Sequence, residues 1–256
     1  MKYDKSRRQR EPPNIFIIPF RLGAPKFMIP QRTLIENPGK IRQKNEKTIL
    51  DSAEIEFAKY GYEGATIKSI AERAGLPKAN IHYYFKSKLD LYAAVLNDIL
   101  DMWNAAFDGI DIHSNPAHAL EHYIRAKVEY SRTHGRASRI FACEMISGAP
   151  YLRRYLQNEF HYWVSEKAQV IHHWIRQGLI APIHPMHLFM MIWGATQYLA
   201  DAQVQVESLL RKPELAGQDY EAFASDLVTV ILKGCGLQSY RKTACLTATE
   251  SSLEFA

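Results

Sequence analysis

Residues 66–85 read TIKSIAERAGLPKANIHYYF, and the spacing inside this stretch decides the fold. Thr66 offers a hydroxyl as N-cap for a short helix through Ala74. Ile67, Ile70 and Ala71 then fall on one face of that helix. Gly75-Leu76 makes a tight turn, because glycine enters left-handed backbone without a Cβ clash. Pro77 suits the first position of a second short helix, Pro77–Tyr84. Helices this short bury little surface alone and need the one before them. There, Ile49, Ala53, Phe57 and Tyr60 recur at helical spacing and Gly61 follows as a stop. Three such helices make a small unit whose second short helix can lie in the major groove of DNA. Any turn between two helices that contains glycine shares this local pattern, so the side chains must carry the argument.

Those side chains are suited to a duplex. Lys78 and Lys88 offer charge to phosphates, Asn80 can both donate and accept at a base edge, and His82 and Tyr83 add hydrogen bonds and planar surface. Charge along the chain agrees. The net charge is +5, and the first 47 residues hold 12 of the 32 Lys/Arg but only 4 of the 27 Asp/Glu. A basic excess confined to one end points to a polyanionic partner there, or to a solvated tail.

Outward from this unit the chain reads as helix throughout. Ser87 caps a helix from Lys88 to Phe107 with Leu91, Val95, Ile99 and Met102 on one face. Asn115-Pro116 opens another to Thr133, and Arg136–Ser147 forms the next. A long one runs from about Pro150 to Gly178, with Leu152, Leu156, Phe160, Trp163, Ile171, Trp174 and Ile175 in its apolar stripe. A fifth covers Pro185–Leu210, and Tyr220–Leu232 forms the last. No stretch alternates with a period of two between hairpin turns, so the expected class is all-α. The expected division is a basic arm at 1–39, rich in proline, a three-helix DNA-binding domain at 40–86, a second helical domain at 87–236 (to which the resemblance given below assigns ligand binding and dimerisation), and a Ser/Thr-rich tail at 237–256. Met28 offers an alternative start that would leave a shorter basic leader.

Several classes are excluded. No apolar run approaches the ~18–20 residues of a bilayer span. Cys143, Cys235 and Cys245 are odd in number and widely spaced, which argues against a disulfide framework or a Cys-rich zinc site and for a reducing cytoplasm. His118 and His122 lie one turn apart but lack further ligands at matching spacing, so no metal is expected. There is no GxSxG elbow and no glycine-rich phosphate loop, so neither catalysis nor a cofactor is expected. Cys143, inside the apolar FACEM segment, reads as core.

The second half offers one polar constellation. Trp193, Gln197 and Asp201 are each four residues apart and share a helix face. An indole, an amide and a carboxylate in line on an otherwise apolar helix are costly to bury without partners. Either a neighbouring helix or subunit satisfies them, or a small, polar, planar ligand does.

The stretch from Thr66 through Ile70-Ala71, Ala74-Gly75, Asn80, Tyr84-Phe85, Ser87-Lys88 and Leu91 resembles the N-terminal DNA-binding domain of the TetR family. That resemblance implies that Thr66, Lys78, Tyr83 and Lys88 anchor the DNA backbone while Asn80 faces base edges. His82 stands where the family commonly has a phosphate-contacting tyrosine, and Pro77 where it commonly has a Ser or Thr cap. Segments 96–103, 129–150 and 179–201 further resemble pyrimidine-responsive members of the family, which sense uracil and thymine and control pyrimidine-catabolism genes. This implies a ligand site at Trp103, Trp193 and Gln197, with Asp201 beside it: glutamine can pair with the alternating N–H and C=O edge of the ring, and an indole can stack on it. It also implies a homodimer joined through the helices at 185–210 and 217–235, acting on a pseudo-palindromic operator as a repressor.

Overall fold

The computed structural model describes residues 39–237, all of it helix and connecting turn; the expected arm and tail, and Cys245, lie outside this range. Helix α1 (Lys40–Gly64) contains the anticipated stop, since Gly61 adopts φ 68°, ψ 177° inside it. Helix α2 (Ile67–Ala74) begins with a reciprocal cap: the Ser69 amide donates to Thr66 Oγ1 at 3.0 Å and the Thr66 amide to Ser69 Oγ at 3.3 Å. Two otherwise orphaned donors are thereby satisfied. Gly75 ends α2 at φ 65°, the conformation for which glycine was expected. Pro77 sits one position earlier than predicted: it is the cap residue, and α3 spans Lys78–Tyr84.

Helix α4 (Lys88–Ala105) starts at Ser87, whose hydroxyl accepts from the Asp90 amide. Helix α5 (Pro116–Thr133) starts at Asn115, which caps the His118 amide. Helix α6 covers Gly135–Ile146. The long helix expected from Pro150 to Gly178 is not uniform. A short α7 (Arg153–Tyr155) leads into a π-helical turn, Leu156–Phe160, and then into α8 (His161–Arg176). Nothing in residue spacing signals such a turn, because it is a single turn inserted within an otherwise apolar helical stripe. The helix expected over Pro185–Leu210 is also divided. Backbone at Ala202 (φ −111°, ψ 31°) separates α9 (Pro185–Asp201) from α10 (Gln203–Leu210), so Asp201 ends a helix instead of lying inside one. Helix α11 spans Gly217–Gly234.

Two main cores organise these helices. The first joins α1–α3 to most of α4, to α6 and to Leu152 and Tyr155, with Ile49, Ile70, Ile81, Leu91 and Leu96 fully buried. The second joins the end of α4 to α5, α8, α9 and α11 around Leu120, Tyr123, Trp174 and Phe189. Phe160, at the end of the π-helical turn, packs against both. Cys143 does not enter either core, contrary to expectation; it is exposed, while Cys235 is buried. Its neighbour Glu144 takes the inward position, because three donors await its carboxylate. Tyr92 Oη donates to it at 3.2 Å and the amides of Tyr151 and Leu152 at 2.6 and 3.0 Å.

Candidate functional site

The DNA-facing candidates are presented by α2 and α3. Ile81 and Phe85 are buried, and this turns Lys78, His82 and Tyr83 to solvent. Thr66 is exposed at the start of α2, and Asn80 is half-buried. Tyr83, 68% exposed, lies edge-on to Tyr84, and the guanidinium of Arg42 sits 5.6 and 5.9 Å from the two ring centroids. Arg42, on the first turn of α1, thus extends the cationic surface of α3. Its sequence signal was the basic run at the start of α1, which did not distinguish it from its neighbours.

Lys88 is placed differently from the rest. Its ammonium donates to the carbonyls of Tyr62, Glu63 and Ala65 at 2.7, 3.4 and 3.2 Å, and lies 4.3 Å from the centroid of the Tyr62 ring. Those carbonyls belong to the end of α1, which has no further helical turn to satisfy them. Lys88 therefore ties α4 to α1, and its donors are engaged inside the protein.

The unit is further held by Arg73, whose guanidinium bonds Glu56 at 2.7 Å. Burial alone would raise the Glu56 carboxyl, but the bonds from Arg73 and Ser69 outweigh it and hold it below the usual carboxylate value.

The second constellation is built between α5 and α9. These helices run in the same sense, with Tyr123 facing Trp193, Ser131 facing Thr196 and Gly135, which opens α6 just after α5, close to Ala200. Trp193 Nε1 donates to Tyr123 Oη at 2.5 Å. Around this indole stand Phe107, Phe160 and Phe189, with centroids 5.9–6.0 Å away. Ser131 Oγ donates to the Thr196 carbonyl at 2.7 Å. At the end of α9, Asp201 accepts from Ser138 of α6 at 2.5 Å. Partial burial raises the Asp201 carboxyl, while the Ser138 bond and the charges of Lys127 and Arg139 oppose that rise.

Trp103, near the end of α4, lies edge-on to Phe141 of α6 at 4.6 Å, and the ammonium of Lys127 from α5 stands 4.3 Å from its ring centroid. The two indoles belong to different aromatic groups: Trp103 packs on the first core and Trp193 on the second. What joins them is α5, where Tyr123 reaches Trp193 and Lys127, one turn on, reaches Trp103. Gln197 lies on the α9 face between Trp193 and Asp201, half-buried, and among the described residues its amide has no hydrogen-bond partner.

Lys127 and Tyr123 were missed by sequence reasoning. Their signal was present. Leu120, Tyr123, Ile124, Lys127 and Val128 share one face of α5, so a lysine stands in an apolar stripe where four neighbours are hydrophobic. Burial pushes the Lys127 ammonium down to about 7, with the Asp201 charge only partly opposing it. Burial likewise pushes the Tyr123 phenol well up.

A surface able to enter a DNA groove and a buried polar seam are thus held on one helical frame. Comparison with known proteins agrees with this frame from end to end. Residues 49–95 match the bacterial regulatory proteins of the tetR family, and residues 96–238 match the YcdC-like protein C-terminal region. The HTH-type transcriptional regulator RutR of Escherichia coli K12 is 43% identical over 164 residues, which cover 64% of this chain and 77% of that protein. Among solved structures, a TetR-like transcriptional regulator from Rhodococcus sp. RHA1 superimposes with a TM-score of 0.57 at 17% identity, over 78% of this chain and 99% of that one. AibR, in a structure with isovaleryl coenzyme A and operator DNA, gives a TM-score of 0.57 at 19% identity, over 73% and 97% of the two chains. The chain belongs to the TetR family and is a DNA-binding transcriptional regulator, not an enzyme.

Proposed function

We propose that this regulator is a homodimeric repressor of pyrimidine-catabolism or salvage genes, and that a small pyrimidine such as uracil or thymine modulates its hold on a pseudo-palindromic operator. The observation that carries the proposal is the polar seam of Trp103, Trp193, Gln197 and Asp201 on helices that also position the DNA-reading unit. An indole face, an amide with no protein partner and a carboxylate at the edge match a flat ring bearing alternating N–H and C=O groups. The resemblance of segments 96–103, 129–150 and 179–201 to pyrimidine-responsive regulators supports the same choice. AibR, of the same fold, has a structure with both a small molecule and operator DNA, the pairing of partners proposed here.

Two rigid links would carry the signal. Helix α4 is ~27 Å long at about 1.5 Å per residue. Lys88 fixes its start to α1, and Trp103 reports on the seam near its other end. Helix α6 supplies the second link: Ser138 bonds Asp201, and Arg136 reaches Glu54 of α1 at 3.3 Å. A ligand that shifts α6 or the end of α4 thereby tilts α1 and the helices packed on it. Coupling of about 1–3 kcal/mol would change operator affinity about 5–150-fold. For the dimer, support comes from α9–α11, where Met190, Tyr198, Val204, Leu209 and Val230 are exposed apolar side chains.

Thermal shift with uracil and thymine tests the effector, since a ligand bound by the native state raises the melting temperature. Gel retardation of the promoter fragment by wild type and Gln197→Ala tests the site. Gln197→Ala should bind DNA as wild type does and lose the uracil response; an unchanged response rejects the assignment. Replacing Trp193 is less clean, because it strands the Tyr123 hydroxyl. If another small molecule, and neither pyrimidine, shifts the melting temperature and releases DNA, the protein is a TetR-type repressor with a different effector. Light scattering should give twice the 29.4 kDa of one chain.

A further inference from the structure

Lys127 is 4% exposed, and among the described residues no acceptor lies within hydrogen-bond reach of its ammonium. A buried charge normally brings its partners with it, because removing an ammonium from water costs several kcal/mol after relaxation. Two cations that organise the other half of the molecule illustrate the rule: the Lys88 ammonium has three carbonyls, and the Arg73 guanidinium has the buried carboxylate of Glu56. Lys127 has the face of Trp103 at 4.3 Å and, from farther off, the charge of Asp201. The groups around it offset its charge only in part and accept none of its N–H bonds. Trp103 of α4 offers a ring face, Tyr123 one turn back on α5 accepts from Trp193, and Asp201 of α9 accepts from Ser138, with Arg139 of α6 also acting on that carboxylate.

We infer that Lys127 is the group that reads the effector, donating from its ammonium to a carbonyl oxygen of a flat heterocycle that lies against Trp103. The inference rests on the reading of this seam as an effector site and adds to it a specificity-determining residue and a required ligand group. The choice of a carbonyl follows from the available partners. Asp201 already compensates part of the positive charge, so a neutral acceptor completes the site, whereas a second full negative charge would face a carboxylate. Trp103 supplies the flat surface that places such an oxygen beside the ammonium. Burial holds the lysine near the pH of the cell interior, where an incoming acceptor has the greatest effect on its protonation. The free protein thus keeps one strong donor uncommitted, and an effector bearing the matching oxygen stabilises the bound arrangement of α4, α5 and α9.

Isothermal titration of the full-length protein with uracil tests this, using wild type, Lys127→Met and Lys127→Gln, with unsubstituted pyrimidine as a probe that lacks carbonyl oxygens. The expected result is uracil binding by wild type, at least a tenfold loss in Lys127→Met, a smaller loss in Lys127→Gln, which keeps a donor, and no binding of unsubstituted pyrimidine. Retardation of the promoter fragment in the absence of ligand should be the same for all three proteins. Uracil binding by Lys127→Met at wild-type affinity, or binding of unsubstituted pyrimidine as tight as uracil, overturns the role of Lys127 while leaving the effector assignment in place. Failure of wild type to bind uracil or thymine overturns both. Should Lys127→Met lose its cooperative melting transition, Lys127→Gln decides: weakened binding in a protein that melts normally supports the role, and wild-type affinity rejects it.

Discussion

The two halves of the molecule treat buried polar groups in opposite ways. In the DNA-reading half, from α1 to the start of α4, polar groups are paired: the buried Glu56 with Arg73, the exposed Thr66 cap with Ser69, and Lys88 with the carbonyls that end α1. In the half built on α4–α9 several are not. Among the described residues the ammonium of Lys127 and the amide of Gln197 make no hydrogen bond, and the buried Oδ1 of Asn97, Oε2 of Glu159 and Nε1 of Trp174 have no partner. A fully paired unit keeps one shape and suits a surface that must fit a groove. A unit with uncommitted donors and acceptors gives up some stability in the free state and recovers it when a ligand supplies the missing partners.

Removing a polar group should therefore have opposite signs in paired and unpaired settings. The largest expected effect is at the paired site that joins the two halves. Glu144→Ala leaves Tyr92 Oη and the amides of Tyr151 and Leu152 without an acceptor. It should cost about 3–5 kcal/mol by urea denaturation, with α6 loosened from α4. A loss below ~1 kcal/mol would show that this carboxylate is not needed to hold α6.

Lys127→Met should act the other way. In wild type, burial lowers the Lys127 ammonium from the ordinary 10.5 to about 7. Between about pH 7 and 10.5 the unfolded chain holds a proton that the folded protein has released, so stability must rise with pH across that window. It falls again as pH drops toward 7 and is flat below, where both states are charged. The swing is up to ~5 kcal/mol from the size of the shift. Methionine removes both the penalty and the slope, so denaturation at pH 6.5 should find the variant more stable by about 1–4 kcal/mol. A variant that is less stable at pH 6.5 would mean that Lys127 is satisfied in a way the geometry does not give.

A smaller contrast lies within the DNA-reading half. Lys88→Ala strips acceptor carbonyls of their donor and should cost about 1–2 kcal/mol of stability. Lys78→Ala, exposed on α3, should leave stability within ~0.5 kcal/mol and reduce the slope of log affinity against log salt by about 1. If the two variants exchange these behaviours, Lys88 is a phosphate contact and the pairing with α1 is secondary.

The same division governs how much could be read from the chain. The DNA-reading half was legible because its signals are local: the Thr66 cap, the left-handed Gly75, the apolar spacing of Ile70 and Ile81, the Ser87 cap. Each acts within a few residues, and so is written in consecutive letters. The second half was legible in outline, through Trp193, Gln197 and Asp201 on one face of α9, but not in detail. The π-helical turn at 156–160, the break at Ala202 and the outward position of Cys143 follow from how helices meet, and no spacing rule encodes them.

The sequence by itself settled an all-helical chain with a DNA-reading unit near its N-terminal end, since caps, glycines and periodicity are properties of neighbouring residues. Tertiary structure alone decided which charges have partners. Lys78 and Lys88 are equivalent letters until α1 ends beside one of them and claims its donors. Lys127 is one more lysine on a helix until α4 brings Trp103 over it and α9 stops with Asp201 nearby. Burial and pairing depend on residues that are distant along the chain and close in space, and only the packed fold brings them together.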